Sequence, residues 1–209
     1  MLNKSTIDIL SKDMSIEVEE ITSKLLESNL RQYKNEILNI IDQYASAVGA
    51  LAAEEKINEI YFQNKHLHTN LDVHEIIDSM RHAFISFSEG GLLDLFTYQE
   101  NEGWYPKIIL RKELCPNDKH TLPNPANVFR GCSKYEYEMM EFGQSWTTSL
   151  EIARLFAFSH YHGQPWFKFN DSVVVKAKIE KNGILYSKQF GESEIVVKQS
   201  YLKDIENIT

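Results

Sequence analysis

Three of the five prolines lie within ten residues, from Pro116 to Pro125, and they divide the chain into two regions of different character. Proline lacks a backbone donor and clashes with a preceding helical turn, so this stretch is typical of a loop or a domain boundary. Before it, apolar residues recur at helical spacing; after it, short strand-like and helix-like segments alternate. We therefore expect an α+β protein with a mainly helical accessory region, residues 1–105, followed by a mixed α and β domain, residues 106–209.

The helical region contains one long series of apolar residues at steps of four and three. The series consists of Leu26, Leu30, Tyr33, Ile37, Ile40, Tyr44, Ala47 and Leu51. It predicts one long amphipathic helix from about Ser15 to about Ile60, packed in a helical hairpin or bundle, with a coiled-coil dimer as the alternative. A second amphipathic helix, over residues 73–84, is expected to end near Gly90 and Gly91.

The charge of the chain is also unevenly divided. Residues 1–110 carry 9 Lys and Arg against 18 Asp and Glu, whereas residues 111–209 carry 13 against 12. An acidic half disfavours broad attraction to nucleic acid or to an anionic membrane, so a phosphate-bearing ligand is expected in the second half. No run of about 18 apolar residues and no signal peptide occur, and two cysteines suit a reducing compartment. We therefore expect a cytoplasmic protein without membrane contact.

Three neighbouring histidines raise the question of a metal site. His66, His68 and His74 lie within nine residues, but no cysteine or carboxylate cluster completes a known ligand spacing around them. Structural and catalytic metal sites need three or four ligands in such a spacing. We interpret the histidines as solvated or capping residues and expect no metal.

Short elements follow one another after the prolines. NVFRG predicts a strand, and SKYEYEMMEF predicts a helix that starts with a capping box between Ser133 and Glu136 and ends at Gly143. QSWTT is β-prone, and Ser149 then lies where the N-cap of a helix is expected. SVVVKAKI and SEIVV predict two further strands, with a turn at KNG after the first. The apolar side of the helix after Ser149 contains Ile152, Leu155, Phe156 and Phe158.

Two acids stand two residues apart at the start of the last of these strands. Glu192 and Glu194 are expected to project from one face by strand alternation, while Ile195 and Val197 enter the core. Two carboxylates that close resist ionising together, which raises the pKa of one and gives the pair distinct roles in catalysis or binding. The alternative is a solvated edge of a strand.

Three motifs occur in order in this second region: Arg130 and Gly131 in FRG, residues 145–148 in SWTT, and residues 191–197 in GESEIVV. The order resembles the R-S-E class of mono-ADP-ribosyltransferases, in particular its small bacterial and phage-borne members. That class is marked by an arginine on the first strand, a Ser-Thr-Ser strand and a Glu-x-Glu strand. The resemblance covers about residues 125–200 and implies an ADP-ribosyltransferase-like split β-sheet domain. Thr147 stands where the class usually has serine, which keeps the hydroxyl but stiffens its rotamer.

The resemblance implies a role for each acid and hydroxyl in the motifs. Glu194 would hold the ribose 2′-hydroxyl of NAD and stabilise an oxocarbenium-like sugar. The Thr147 hydroxyl would hold Glu194 in position, while Thr148 and Ser149 would shape the turn at the cofactor and cap the helix. Glu192 would orient or deprotonate the acceptor.

Arg130 would pair with the NAD diphosphate, because a planar guanidinium can bind two phosphate oxygens at once. Gly131 would leave room for close backbone approach to the ligand. For Arg130 the alternative is a structural salt bridge. Three aromatic residues further on, Tyr161, Trp166 and Phe167, are candidates to stack on nicotinamide, but we interpret them as surface packing.

The function that the resemblance implies is transfer of ADP-ribose from NAD, the co-substrate, to a macromolecular acceptor, either protein or RNA. Small members of the class without a secretion signal frequently act inside the cell as toxins or effectors in bacterial and phage conflict. The helical region would recruit the target, bind an antitoxin, mediate oligomer contact or cover the sheet. Two alternatives remain: a non-catalytic interaction module on the same fold, and an NAD glycohydrolase in which water replaces the acceptor.

Overall fold

The computed structural model describes residues 1–100, 103–160 and 168–209. The chain forms two compact units that divide between Ile109 and Leu110, a few residues after the boundary expected from the sequence. Helices form the first unit, and a six-stranded antiparallel sheet with two helices lies in the second, so the α+β class is confirmed. No helix in the described ranges is both long enough and apolar enough to span a membrane.

The first unit is built from five α-helices, with a π-helical segment at Ile9–Asp13 and 3-10 segments at Arg31–Tyr33 and Lys65–Thr69 between them. Their bounds are α1 Lys4–Asp8, α2 Val18–Lys24, α3 Lys34–Ala47, α4 Ala53–Gln63 and α5 Leu71–Thr97. Asn70 caps α5 by accepting a hydrogen bond from the Val73 amide at 3.2 Å. Inside α5, Gly91 has φ 68° and ψ −154°, which interrupts the helix where the sequence placed its end, and helical turns resume beyond it.

The single long helix expected over residues 15–60 is wrong. That region forms three helices, α2, α3 and α4, which are separated by non-α-helical residues 25–33 and 48–52. Gly49 (φ 76°) and Ala52 (φ 57°) adopt left-handed conformations that end one helix and precede the next. Leu26 and Leu51 lie in these breaks and are 56% and 94% exposed, so the apolar series is not one continuous seam. The coiled-coil alternative therefore loses its basis.

The interior part of the series forms the core of the helical unit. Ile37, Ile40 and Tyr44, on α3, are fully or almost fully buried. The Tyr44 ring lies 6.0 Å from the ring of Phe84 on α5. Burial of these side chains within one chain agrees with the bundle interpretation of the pattern.

The second unit contains a six-stranded antiparallel sheet in the order β4-β5-β2-β1-β3-β6. The strands predicted from NVFRG, SWTT, SVVVKAKI and SEIVV are present, KNG forms a turn, and β4 and β6 were not predicted. Two helices lie between strands, α6 Lys134–Met139 and α7 Leu150–Phe158. The strands are β1 Ala126–Ser133, β2 Ser145–Thr147, β3 Ser172–Ile179, β4 Ile184–Lys188, β5 Glu194–Val197 and β6 Lys203–Asn207.

The helix α6 starts as predicted but ends earlier. Ser133 Oγ accepts the Glu136 amide at 3.1 Å, which is half of the expected capping box. The Glu136 carboxylate makes other bonds, to Arg130 and to the Gly143 amide. The helix ends at Met140, whose φ of 55° is left-handed, rather than at Gly143.

The helix α7 lies against the sheet through its smallest residues. Ser149 caps it by accepting the Ile152 amide at 3.3 Å, as predicted. Its buried residues are Ala153 and Ala157, and Phe158 packs against them. Leu155 is 48% exposed, so the expected apolar side is wrong at that residue. The sheet residue beneath these alanines is Gly131, where a Cβ would lie 2.4 Å from the Ala153 carbonyl oxygen and 2.5 Å from the Ala157 amide nitrogen. Only small side chains fit so close a helix-to-strand contact.

We predict that Gly131→Ala lowers the free energy of unfolding by about 1–3 kcal/mol, because the added methyl group would overlap helix backbone that no side-chain rotation can move. Chemical unfolding measures the change. Asn127→Ala is the control, because Asn127 is an exposed residue of the same strand and should change stability by less than about 0.5 kcal/mol. Equal stability of the two variants would contradict the close packing of α7 on β1.

Candidate active site

Three adjacent strands carry the residues that the sequence singled out. Arg130 is on β1, Thr147 on β2 and Glu194 on β5, and β2 lies between the other two. Thr147 and Glu194 are directly opposite each other in the antiparallel register. Opposite residues share a face of the sheet, so these two side chains are neighbours. The sheet therefore brings Thr147 and Glu194 together, whereas the register places Arg130 on the opposite face of the neighbouring strand.

Glu194 is a partly buried carboxylate at the start of β5. Its Oε1 accepts a hydrogen bond from Ser145 Oγ at 3.1 Å. Burial raises the pKa of Glu194, because the charged form loses hydration; donation from Ser145 opposes this, and repulsion from Glu192 adds to the increase. Repulsion between the two acids, the cause expected from the sequence, contributes less to the raised pKa than burial does.

Glu192 does not extend the alternation of the strand. The strand β5 begins at Glu194, and Ser193 between the acids has a left-handed φ of 51°. A residue in that conformation breaks the alternation of side chains, so the geometric argument that placed both carboxylates on one strand face is wrong. The two acids still interact, since Glu192 contributes to the raised pKa of Glu194. Ile195 and Val197 enter the core as predicted.

The hydroxyl groups of residues 147–149 each have a separate partner. Thr147 Oγ1 donates to the Glu192 carbonyl at 2.8 Å and accepts the Ser149 amide at 3.0 Å. Thr148 Oγ1 donates to Gln189 Oε1 at 2.6 Å. The expected bond from Thr147 to the Glu194 carboxylate is therefore absent from the described contacts, and the hydroxyl holds the backbone before Glu194 instead.

Ser145 is the residue that sequence reasoning missed at this site. It lies two positions before Thr147 on β2, so both side chains point to the same face as Glu194. Its hydroxyl binds the Glu194 carboxylate, and its carbonyl accepts Arg130 Nη1 at 2.6 Å. The serine of SWTT was visible in the sequence, but the register pairs Thr147 with Glu194. The directions of the side chains, which a sequence does not give, decide that the Ser145 hydroxyl reaches the acid.

Arg130 is held by protein groups on the other side of β2. Its Nε donates to Glu136 Oε1 at 2.6 Å, in an ion pair whose side chains are 22% and 21% exposed. The register places Arg130 opposite Trp146, on the face away from Glu194, and the guanidinium reaches the start of β2 at Ser145. Two of its three nitrogens are thus engaged, as in the salt-bridge interpretation of this residue.

The expected role of Gly131 is wrong. The space at its Cα is occupied by the backbone of Ala153 and Ala157 of α7, so the glycine makes room for the helix and not for a ligand. Arg130 and Gly131 were both assigned to the diphosphate. Of these two, only Arg130 has polar side-chain atoms beside the site, where its guanidinium reaches Ser145.

The other expectations concern metals and aromatic residues. No group of three or more His, Cys, Asp or Glu in the described ranges is arranged to hold a metal ion. The rings of His68 and Tyr61 stack at 4.2 Å, and His74 Nε2 lies 2.7 Å from the Tyr61 hydroxyl. Tyr161, Trp166 and Phe167 lie outside the described residues.

No model of a protein family, no curated protein and no solved structure matches this chain.

We predict that Ser145→Ala raises the pKa of the Glu194 carboxyl further, because the hydroxyl donates to the charged form and its loss removes a stabilising bond. Carboxyl carbon NMR titration measures this pKa, and Glu194→Gln identifies the resonance. Thr147→Val is the matched control: its hydroxyl binds backbone, so the pKa should stay close to that of the wild type. A larger increase of the Glu194 pKa in Thr147→Val than in Ser145→Ala would show that Thr147, and not Ser145, donates to the carboxylate.

We also predict how Glu194 affects stability with pH. Its pKa is higher in the folded protein than the ordinary value of 4.5 in the unfolded chain, so the folded state retains this proton between the two values. The contribution of Glu194 to the free energy of unfolding therefore falls as the pH rises through that interval. Glu194→Gln lacks this titration, and its stability relative to the wild type should rise over the same interval in chemical unfolding. A constant difference between the two proteins would contradict the raised pKa.

Proposed function

We propose that the protein is an NAD-dependent mono-ADP-ribosyltransferase that transfers ADP-ribose to a protein or RNA acceptor. The observation that carries the proposal is the position of Glu194. This partly buried carboxylate has a raised pKa, accepts a hydrogen bond from Ser145 and lies opposite Thr147 on the neighbouring strand. A fixed carboxylate with little hydration is suited to stabilise a cationic sugar.

The reaction requires one group that stabilises the sugar cation and a second group that accepts the proton of the acceptor. The bond between the ribose anomeric carbon and the nicotinamide nitrogen breaks, and its electron pair leaves with nicotinamide. A lone pair of the acceptor then forms the new bond to the same carbon, and the acceptor proton passes to a base. In the proposal the ionised Glu194 stabilises the sugar cation, and Glu192, on the exposed turn before it, orients the acceptor and takes the proton.

Arg130 is the proposed contact for the NAD diphosphate. Its link to Glu194 through Ser145 supports this role, because one residue joins the two groups. The phosphate would share the guanidinium with Glu136, which already accepts from Nε. The ADP-ribosyltransferase-like form of the six-stranded sheet is part of the same proposal, and the adjacent placement of the three motif strands supports it.

The biological setting follows from the resemblance of the motifs. A transferase of this kind would act in the cytoplasm as a toxin or effector in bacterial or phage conflict. The helical unit would then bind the target, an antitoxin or another copy of the chain.

One observation favours a non-catalytic alternative. The ion pair of Arg130 with Glu136 engages the arginine as a structural salt bridge would, which suits an interaction module that has kept the fold without the activity. An NAD glycohydrolase is the second alternative, in which water attacks the same sugar. Both alternatives are outcomes of the same assay.

We predict that the wild-type protein, incubated with NAD and cell lysate, releases nicotinamide and adds ADP-ribose to protein or RNA. Glu194→Gln should lower nicotinamide release by roughly 100-fold or more, because the variant removes the charge that stabilises the sugar cation. Glu206→Gln is the matched control. Glu206 lies on the exposed edge strand β6 and pairs with Lys176 of β3, so this variant should retain full activity.

The products separate the candidate functions. Mass spectrometry of lysate protein and RNA detects the added group, and chromatography detects nicotinamide. Nicotinamide without any labelled acceptor indicates the glycohydrolase. Absence of both products, together with no binding of NAD, indicates the interaction module.

A further inference from the structure

The turn before Glu194 is held by a hydrogen-bond network that the proposed catalytic groups do not explain. Its centre is the side chain of Gln189. Gln189 Oε1 accepts Thr148 Oγ1 at 2.6 Å, and Nε2 donates to Ser187 Oγ at 3.0 Å and to the Glu194 carbonyl at 3.3 Å. One amide side chain therefore connects the end of β4, the start of α7 and the start of β5.

Asp118 anchors the same network from a distant part of the chain. Its carboxylate accepts Ser187 Oγ at 2.6 Å and the Gln189 amide at 2.7 Å. Its own amide donates to the Ser187 carbonyl at 3.1 Å. Ser187 is 1% exposed, so these bonds lie largely out of water. A carboxylate that accepts two hydrogen bonds in such a place is a strong fixed point.

The far end of the turn is fixed by the two threonines. The Thr148 amide donates to the Ser193 carbonyl at 3.0 Å, and Thr147 Oγ1 donates to the Glu192 carbonyl. Bonds thus reach residues 189, 192, 193 and 194, on both sides of the exposed Phe190 and Gly191.

The turn needs such support because its backbone is unusual. Gly191 has φ 83° and Ser193 has φ 51°, so two of three consecutive residues around Glu192 are left-handed. A left-handed conformation is costly for serine and persists only where the surroundings fix it. The network supplies this constraint at the carbonyl groups of Glu192 and Ser193.

We propose that Asp118 and Gln189 are positioning residues that hold the turn carrying Glu192, through the end of β4 and through Thr148, and so set the acceptor side of the site. Ser145 holds the carboxylate of Glu194. The inference rests on the proposed function, in which Glu194 stabilises the sugar cation and Glu192 orients the acceptor. Glu194 loses one bond to its carbonyl when the network is removed, but its pairing with β2 and β4 and the Ser145 hydroxyl still hold it. Loosening the turn therefore displaces Glu192, which receives the acceptor, more than Glu194, which stabilises the sugar cation. Water, which needs less orientation than a macromolecule, replaces the acceptor more often.

The test compares two variants that remove network bonds with little change of shape. Gln189→Met keeps the length of the side chain and removes three hydrogen bonds, and Asp118→Asn exchanges one carboxylate oxygen for an amide group. Asp204→Asn is the matched control. It makes the same exchange at Asp204 of β6, which forms an exposed ion pair with Lys178 of β3. For each protein, ADP-ribose bound to lysate acceptors is divided by nicotinamide released.

We predict that this ratio falls by roughly tenfold or more in Gln189→Met and Asp118→Asn, because a small displacement of a reacting group costs about that factor. Nicotinamide release itself should fall by less than about threefold in both variants, and the control should keep the wild-type ratio. Equal ratios in all four proteins, or a parallel loss of release and labelling, would overturn the positioning role and leave the proposed function intact.

Hydrogen exchange gives a second measurement that does not need activity. Backbone amides of residues 188–194 should exchange faster in both variants than in the wild type, with unchanged exchange in β3. Unchanged exchange in this segment would overturn the inference by itself. A wild-type protein that neither releases nicotinamide nor labels any acceptor would instead refute the proposed function, and the role in transfer with it.

Discussion

The three-residue strand β2 is the constraint on which the candidate site depends. It pairs with β1 on one side and β5 on the other, so it fixes the distance between Arg130 and Glu194. Within it, Ser145 contacts both: its carbonyl accepts the guanidinium and its hydroxyl donates to the carboxylate. A strand this short has few ladder bonds of its own, and buried Trp146 holds it to the core, where its ring lies 5.4 Å from that of Phe142. The positions of the site residues on β2 therefore depend on the packing of Trp146 in the core.

Local patterns predicted four of the six strands and both α-helices of the second unit, but not β4 and β6. Apolar alternation located β1, β3 and β5, and the hydroxyl at Ser149 located the start of α7, because each of these signals depends on a few adjacent residues. The long helix over residues 15–60 failed for a physical reason: heptad spacing continued across Leu26 and Leu51, although the backbone turns at both places. The spacing of apolar residues does not indicate where one helix ends and the next begins.

The contacts of the site could be predicted less well than its strands. The motif order brought Arg130, Thr147 and Glu194 to adjacent strands, yet the hydroxyl that binds the acid is that of Ser145. Both hydroxyls lie on the same face, and the register places Thr147 rather than Ser145 opposite Glu194. The choice between them is made by the side-chain conformations, since Thr147 bonds to the Glu192 carbonyl instead. Glu192 escaped the alternation argument because Ser193 is left-handed, and serine gives no sign of that in a sequence. The support of that turn by Asp118 joins residues 71 positions apart, which no local pattern reports.

The environment of Glu194 combines a cost with a chemical advantage. Burial raises its pKa, which disfavours the ionised form that the proposed reaction needs, and the charge of Glu192 adds to this. Donation from Ser145 acts in the opposite direction and keeps the ionised form accessible. An ionised carboxylate with little surrounding water interacts more strongly with a nearby cation than one in bulk solvent, because the local dielectric screening is weaker. The same burial that makes ionisation costly therefore makes the charge effective once formed, and the Ser145 hydroxyl is the larger of the two effects that favour ionisation, the other being the charge of Lys188.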